Sequence, residues 1–223
     1  MKKTFLPILL FCCLSLPLFA RAMPCHCFSV RDFDPGQPAA ADPYFLATTQ
    51  NSFFSVVFGI EKKKVIFAKQ KPRVTAEGLW ILYWLAQRSG KDPAQWKATR
   101  KAAGSWPDAL SGAGVSENLL PPRVMSLLKK GAGDNALASF VVDDLLAGRT
   151  GTSPKELQGL RAEGAGDAET ILACLLARKT GRQPGELFRS VKNGSSTWGT
   201  LILKAEMDGG NMVEEVKSLL GPD

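Results

Sequence analysis

The 223-residue chain contains a single histidine, His26, and this scarcity limits the chemistry it can perform. Many hydrolases and transferases activate a nucleophile or move a proton with a histidine held beside a second functional side chain. One histidine excludes most catalytic sites of that kind. The sequence also has no acid pair, no Ser-His-Asp set, no P-loop and no dinucleotide-binding fingerprint. An enzyme that works through carboxylates alone is left open without a supporting motif, so a non-enzymatic protein is the favoured prediction.

Strand-like patterns are equally scarce. Valine and isoleucine never alternate with polar neighbours over a strand-length segment, so the sequence predicts an all-α fold with essentially no sheet. The apolar segment over residues 78–86 is far too short to span a membrane and predicts a buried helix.

The one long apolar run lies at the N-terminus, from Phe5 to Phe19. Basic residues precede it and Ala20-Arg21-Ala22 follows it, which predicts a signal peptide over residues 1–22 with cleavage after the A-x-A sequence. A retained membrane anchor is the alternative, although the run is shorter than the ~20 residues a spanning helix needs. We therefore expect an exported protein, periplasmic or secreted, with no transmembrane segment after cleavage.

Cleavage would change the charge balance. The full chain has 28 basic and 21 acidic residues and a net charge of +7. Removal of Lys2, Lys3 and Arg21 leaves 25 basic residues and a net charge of +4.

The next segment, residues 23–42, contains cysteine and proline and predicts an extended arm. Asp42-Pro43 then predicts a capped first helix from about Pro43 to Phe58, which opens a single repeat domain over residues 43–223.

A period of about 30 residues runs through that domain. Glycine marks five of six positions, with leucine in the remaining slot: Gly59, Gly90, Leu119, Gly151, Gly181 and Gly210. Proline stands three residues later in four units, and the sixth residue is apolar in all six: Val65, Trp96, Met125, Leu157, Leu187 and Val216. Apolar residues five and nine positions before most anchors predict a first helix that ends at the glycine. The proline predicts the start of a second helix.

This pattern predicts tandem αα-hairpin repeats. The alternative is that glycine and proline punctuate any helical protein. Ser153 with Glu156 is a capping-box sequence just before the second helix of one unit.

Two polar segments are candidates for binding. The uncharged run Thr48, Thr49, Gln50, Asn51 and Ser52 predicts either a ligand or partner surface, or a helix face that is partly solvated and partly hydrogen-bonded to the arm. The basic stretch contains Lys62, Lys63, Lys64, Lys69, Lys71 and Arg73. Lipid head groups or anionic wall polymers can bind such a stretch, and a solvated helix face is the alternative. We expect no nucleic-acid partner, because an exported protein rarely meets chromosomal DNA. Asp143 and Asp144 are expected to be exposed.

Cys25-His26-Cys27 is the only cluster of potential metal ligands in the sequence. Two thiolates and an imidazole suit zinc or copper, but three consecutive ligands do not readily close a tetrahedral site. A disulfide or an intermolecular pairing is at least as plausible in an oxidising compartment, and a segment without special chemistry is the third alternative. Cys174 lies among apolar residues and predicts a buried core thiol. The default prediction is therefore no cofactor.

The segment from Gly151 to Gly164 resembles a helix-turn-helix repeat of uncharacterised bacterial exported proteins, with the pattern G-x-x-P-x-x-L-x-x-x-R-x-x-G and often a tryptophan after it. The unit that begins at Gly90 keeps the proline, the arginine, the second glycine and the tryptophan: Pro93, Arg100, Gly104 and Trp106. The unit at Gly181 has Val191 at the arginine position. The resemblance covers about residues 78–200, implies a helical repeat, and implies no catalytic residue. Together these features predict an exported protein- or envelope-binding module, with a metal- or thiol-dependent role of the Cys25–Cys27 cluster as the alternative.

Overall fold

The computed structural model describes residues 28–71, 75–113 and 119–221. Over these ranges the chain forms twelve α-helices and no strand, which confirms the all-α prediction. The helices are α1 (Asp42–Val57), α2 (Lys62–Gln70), α3 (Ala76–Ser89), α4 (Pro93–Ala103), α5 (Trp106–Gly112), α6 (Pro122–Lys129), α7 (Asp134–Thr150), α8 (Pro154–Ala162), α9 (Asp167–Thr180), α10 (Pro184–Lys192), α11 (Trp198–Lys204) and α12 (Met212–Leu220). None of these helices combines the length and the apolar character needed to cross a membrane. The predicted signal peptide lies outside the described residues.

The glycine and proline positions mark helix boundaries as predicted. In five of the six units the second helix begins three residues after the anchor position. Gly151 and Gly181 directly follow α7 and α9 with φ of 74° and 71°, the left-handed conformation that ends a helix. The Ser153–Glu156 capping box is present: the Ser153 N–H donates to Glu156 Oε2 over 2.9 Å. Local backbone chemistry therefore sets where these helices start and stop.

The last unit departs from the pattern. We predicted a helix that ends at Gly210, and this is wrong because α11 ends at Lys204. The chain instead turns over residues 205–211, where Glu206 takes a φ of 52°. The Asp208 carboxylate stabilises the end of this turn by accepting the N–H groups of Gly210 and Asn211. Gly210 is thus part of a turn before α12 rather than the stop of α11.

The helix pairs do not form a linear stack. α1 packs against α9, α11 and α12 as well as α2, so the first unit contacts the last. α1 has buried residues around its whole circumference, among them Phe45, Asn51, Phe54 and Val57. One neighbouring unit covers only one side of a helix, so this distribution requires partners from distant parts of the chain. The buried side chains consequently form one core that includes both ends of the domain.

Two glycines permit this closure between α1 and the C-terminal third. A Cβ on Gly209 would lie 2.5 Å from Phe45 Cε1, and a Cβ on Gly199 would lie 2.7 Å from Phe33 Cδ2. Both distances are shorter than carbon atoms tolerate. The aromatic rings near the start of the domain can approach α11 and the following turn only because these positions lack side chains.

The segment before α1 is not the predicted extended arm over its last residues. Residues 34–42 form successive turns, with hydrogen bonds from Gln37 N to Asp34 O and from Ala40 N to Gln37 O, both of 3.0 Å. Thr197 Oγ1 then donates to Pro38 O over 3.0 Å. This part of the segment is therefore folded onto the N-terminus of α11.

Asp42 caps a different helix from the one we predicted. It is the first residue of α1, and the N-cap position of that helix is held by Ala41, which has no side chain able to cap. The two carboxylate oxygens of Asp42 accept the N–H of Trp198 over 3.1 Å and the N–H of Gly199 over 2.8 Å. A carboxylate at a helix N-terminus satisfies otherwise unpaired N–H groups and interacts favourably with the helix dipole. Asp42 thus joins the first helix to the eleventh.

Asp42→Ala should lower the free energy of unfolding by about 1–3 kcal/mol, because two partly buried N–H groups lose a charged acceptor. Chemical denaturation of the parent and the variant measures this difference. Asp32→Ala is the matched control: Asp32 is exposed in the same segment, and its loss should change stability by no more than about 0.5 kcal/mol. Equal effects of the two substitutions would contradict the assigned role of Asp42.

Candidate functional site

The polar run of α1 is buried rather than solvated. Thr48, Thr49, Asn51 and Ser52 are almost completely inaccessible, and Gln50 is half-buried. Two of these side chains meet α2: Thr48 Oγ1 accepts from Lys62 Nζ over 2.5 Å, and Asn51 Oδ1 accepts from Lys69 Nζ over 2.6 Å. The polar run therefore holds α2 in place. A direct binding role for Thr49, Gln50 and Asn51 stays a prediction.

α2 divides the predicted basic stretch into two faces. Val65 is buried in the core, and Lys62 and Lys69, three residues before it and four after it, lie on the same inner side. Lys63, Lys64 and Phe67 are exposed on the other side, and Lys71 is exposed just past the helix end. We call these four residues the outer face of α2. The predicted trio Lys62–Lys64 is thus split, and Arg73 lies outside the described residues.

An aromatic ring lies among the outer cations. The Phe67 side chain is 52% exposed, and Lys63 Nζ lies 5.8 Å from the centroid of its ring. Lys64 pairs with Glu61 over 3.0 Å, and both side chains are largely exposed. Phe67 and Glu61 were not among the site residues predicted from the sequence. The two faces of α2 can be predicted from the sequence by the spacing of three residues from Lys62 to Val65 and of four from Val65 to Lys69, which places these residues on one side of a helix.

The outer face of α2 is both cationic and apolar. Surface lysines attract anions through a field that salt screens, and an exposed phenyl ring gains free energy wherever it leaves water. Glu61 partly offsets the local positive charge. The arrangement suits reversible contact with an anionic surface, and it contains no nucleophile with an activating base.

A second polar cluster joins α7, α8 and α9. Arg161 Nη2 lies 2.8 Å from Asp143 Oδ1 and 2.8 Å from Asp167 Oδ1, and Nη1 donates to Ala165 O over 3.1 Å. Burial raises the pKa of Asp143 above its ordinary value of 3.8, and the hydrogen bond from Arg161 opposes that rise. Ser139 Oγ donates to Asp167 Oδ1 over 2.9 Å. Arg161 occupies the arginine position of the repeat pattern, and its observed role is structural.

The predicted exposure of Asp143 and Asp144 is wrong. Asp143 belongs to the Arg161 cluster, and Asp144 Oδ2 accepts from Trp84 Nε1 over 2.9 Å and from Arg88 Nη2 over 2.7 Å. The two aspartates lie away from the α7 residues Leu137, Val141 and Leu145, which face the core, but α8 and α3 cover that side of α7 as well. A single-helix pattern does not reveal those neighbours.

Cys174 is buried on α9, as predicted. Burial raises the pKa of its thiol to about 12, despite a hydrogen bond with Thr152. The described part of the chain contains no group of three potential metal ligands. Cys25, His26 and Cys27 lie outside it, so zinc or copper binding and disulfide formation there stay predictions.

Cys174 should resist thiol reagents in the native protein, because the nucleophilic thiolate is scarce at neutral pH and the sulfur is inaccessible. In a Cys25→Ser/Cys27→Ser variant of residues 23–223, which excludes Cys12 and Cys13, labelling with a chromogenic disulfide at pH 8 should be slow without denaturant and complete in about 6 M guanidinium. The unfolded variant provides the control for reagent quality. Rapid labelling of the folded variant would contradict the burial of this thiol.

A small apolar cavity lies between α3, α5, α6 and α7, where aliphatic and indole side chains line it.

Comparison of the chain with family models, with curated proteins and with solved structures finds no match. The resemblance to helix-turn-helix repeats of bacterial exported proteins therefore stays a prediction.

Proposed function

We propose that this protein is an exported, non-enzymatic binding module that contacts a negatively charged component of the cell envelope through the outer face of α2. The observation that carries the proposal is the division of the α2 lysines. Lys62 and Lys69 bond to buried oxygens of α1, whereas Lys63, Lys64 and Lys71 are exposed. The inner lysines fix the helix, and the outer ones present charge in a defined orientation.

Fixing the helix favours binding. A helix of nine residues is marginal in isolation, so a free basic segment would have to order itself on contact. Here Val65 and the two inner lysines supply that order beforehand, which lowers the entropic cost of binding. The net charge of +4 expected after signal cleavage has the sign needed to attract an anionic envelope.

Charge reversal on the outer face tests the proposal. The protein without its signal peptide should co-sediment with cell-envelope fragments at about 50 mM salt and be released at about 0.5 M, since salt screens exposed charges. Lys63→Glu/Lys64→Glu should weaken co-sedimentation at least about tenfold. The matched control is Lys97→Glu/Lys101→Glu, which makes the same charge change at two exposed positions of α4.

The control pair distinguishes binding by the charges of α2 from binding that depends only on the net charge of the protein. α4 is the second helix of the next unit and exposes no aromatic ring along its length. Equal losses in the two double variants would mean that only net charge matters, and the assignment to α2 would be wrong. Undiminished binding of Lys63→Glu/Lys64→Glu would refute the proposed function itself.

A further inference from the structure

We infer that the envelope component bound by α2 is the surface of an anionic phospholipid bilayer, with the Phe67 ring entering the head-group region. This inference rests on the proposed function and names its ligand. The observation behind it is the exposed ring between cations on one helical face.

The ring discriminates between anionic ligands. A wall polymer or another hydrophilic polyanion can bind the lysines but offers no apolar environment for a phenyl group. A bilayer surface interacts favourably with both the lysines and the ring. Interfacial helices combine lysines at the phosphate level with aromatic or leucine side chains in the upper acyl region. Phe67 follows Lys63 by four residues, so the two side chains lie on one face one turn apart. The same orientation of α2 therefore brings charge and ring to the bilayer together.

The geometry of α2 fits a helix that lies flat on the membrane. Its nine residues extend about 13 Å, at about 1.5 Å per residue, with Lys63 near one end and Lys71 just past the other. Its opposite side is fastened to α1 through Val65, Lys62 and Lys69. Only the outer face contacts lipid in this arrangement, so the association is peripheral and reversible.

Vesicle binding tests this inference directly. The protein should bind vesicles of phosphatidylcholine with about 30% phosphatidylglycerol and should not bind pure phosphatidylcholine vesicles. Phe67→Ser should weaken binding about fivefold through loss of ring burial. Lys63→Glu/Lys64→Glu should weaken it by more than about 25-fold, at about fivefold per lysine. Glu61→Gln should strengthen it, because the substitution removes the acid beside Lys64.

Ring insertion has its own readout. All five tryptophans of the chain are buried: Trp80, Trp84, Trp96, Trp106 and Trp198. Brominated phospholipids should therefore quench the added fluorescence of Phe67→Trp much more than the fluorescence of the parent. Circular dichroism and thermal unfolding of each variant confirm that the fold is retained. Lys97→Glu/Lys101→Glu again serves as the charge-matched control and should bind vesicles nearly as the parent does.

The outcomes separate the two proposals. Envelope binding that depends on Lys63 and Lys64, without binding to phosphatidylglycerol vesicles, would overturn the bilayer inference and leave the proposed function standing. Vesicle binding that is insensitive to Phe67→Ser, with Phe67→Trp unquenched, would also overturn it, because the contact would then be purely electrostatic. Failure of both the envelope and the vesicle assays would overturn both.

Discussion

Leu157→Ala and Leu187→Ala should each lower the free energy of unfolding by about 2–5 kcal/mol, the range measured for buried leucines in other proteins. The two residues hold the same position in neighbouring units, and the structure leaves them 2% and 1% exposed. Each truncation removes apolar contact and leaves a cavity that the surrounding helices fill only in part. Guanidinium unfolding followed by circular dichroism measures the loss.

Lys63→Ala provides the reference for an exposed helical position and should change stability by no more than about 0.5 kcal/mol. Losses below about 1 kcal/mol for both leucines would show that this repeating apolar position does not contribute to the core. The comparison also checks that the outer face of α2 can be altered without affecting the fold.

Arg161→Met should lower the free energy of unfolding by about 2–4 kcal/mol at pH 7. Removal of one member of a buried charge cluster typically costs ~3–5 kcal/mol. The effect is smaller here because Arg161, Asp143 and Asp167 retain between 13% and 20% exposure. Methionine preserves much of the side-chain volume, so the loss reports on the uncompensated carboxylates rather than on a cavity.

The pH dependence of this loss has a defined sign. Burial raises the pKa of Asp143 in the folded protein above its unfolded value. The contribution of Asp143 to stability is therefore largest below the unfolded pKa and falls as pH rises through the folded pKa. Without Arg161 the folded pKa rises further, and the ionised carboxylate becomes more costly. The destabilisation by Arg161→Met should therefore be larger at pH 7 than at pH 4. Asp143→Asn should recover part of it in the double variant.

Arg182→Met is the matched control for an exposed ion pair. Arg182 lies two residues before α10 and pairs with Glu186 in the first turn of that helix, and both side chains are largely exposed. Such pairs contribute little, so a change of no more than about 0.5 kcal/mol is expected at either pH. A loss from Arg161→Met that does not vary with pH would indicate a packing defect instead of unpaired charge.

Helix boundaries were predictable because they depend on neighbouring residues. A left-handed glycine, a first-turn proline and a capping box act within a few positions, and Gly151, Ser153 and Pro154 show all three in sequence. Gly210 misled the prediction because glycine also serves ordinary turns. The regular period therefore located the starts of five second helices but not the end of every first helix, since α5 ends at Gly112, seven residues before Leu119.

The packing of the helices could not be read in the same way. Nothing near Asp42 in sequence indicates that its carboxylate reaches Trp198 and Gly199. The hydrogen bonds of Thr48 and Asn51 likewise come from lysines that lie 14 and 18 residues away. For the candidate site, composition identified the basic stretch, whereas the two faces of α2 became evident only once Val65 was placed in the core.

The bond between Asp42 and Gly199 spans 157 residues, and this separation has a consequence for biosynthesis. Ribosomes add roughly 5–20 residues per second, so α1 emerges on the order of 8–30 s before its partner α11. During that interval its aromatic side chains have no complete core to enter. A nascent chain of this design completes its fold only after nearly the whole polypeptide has been made.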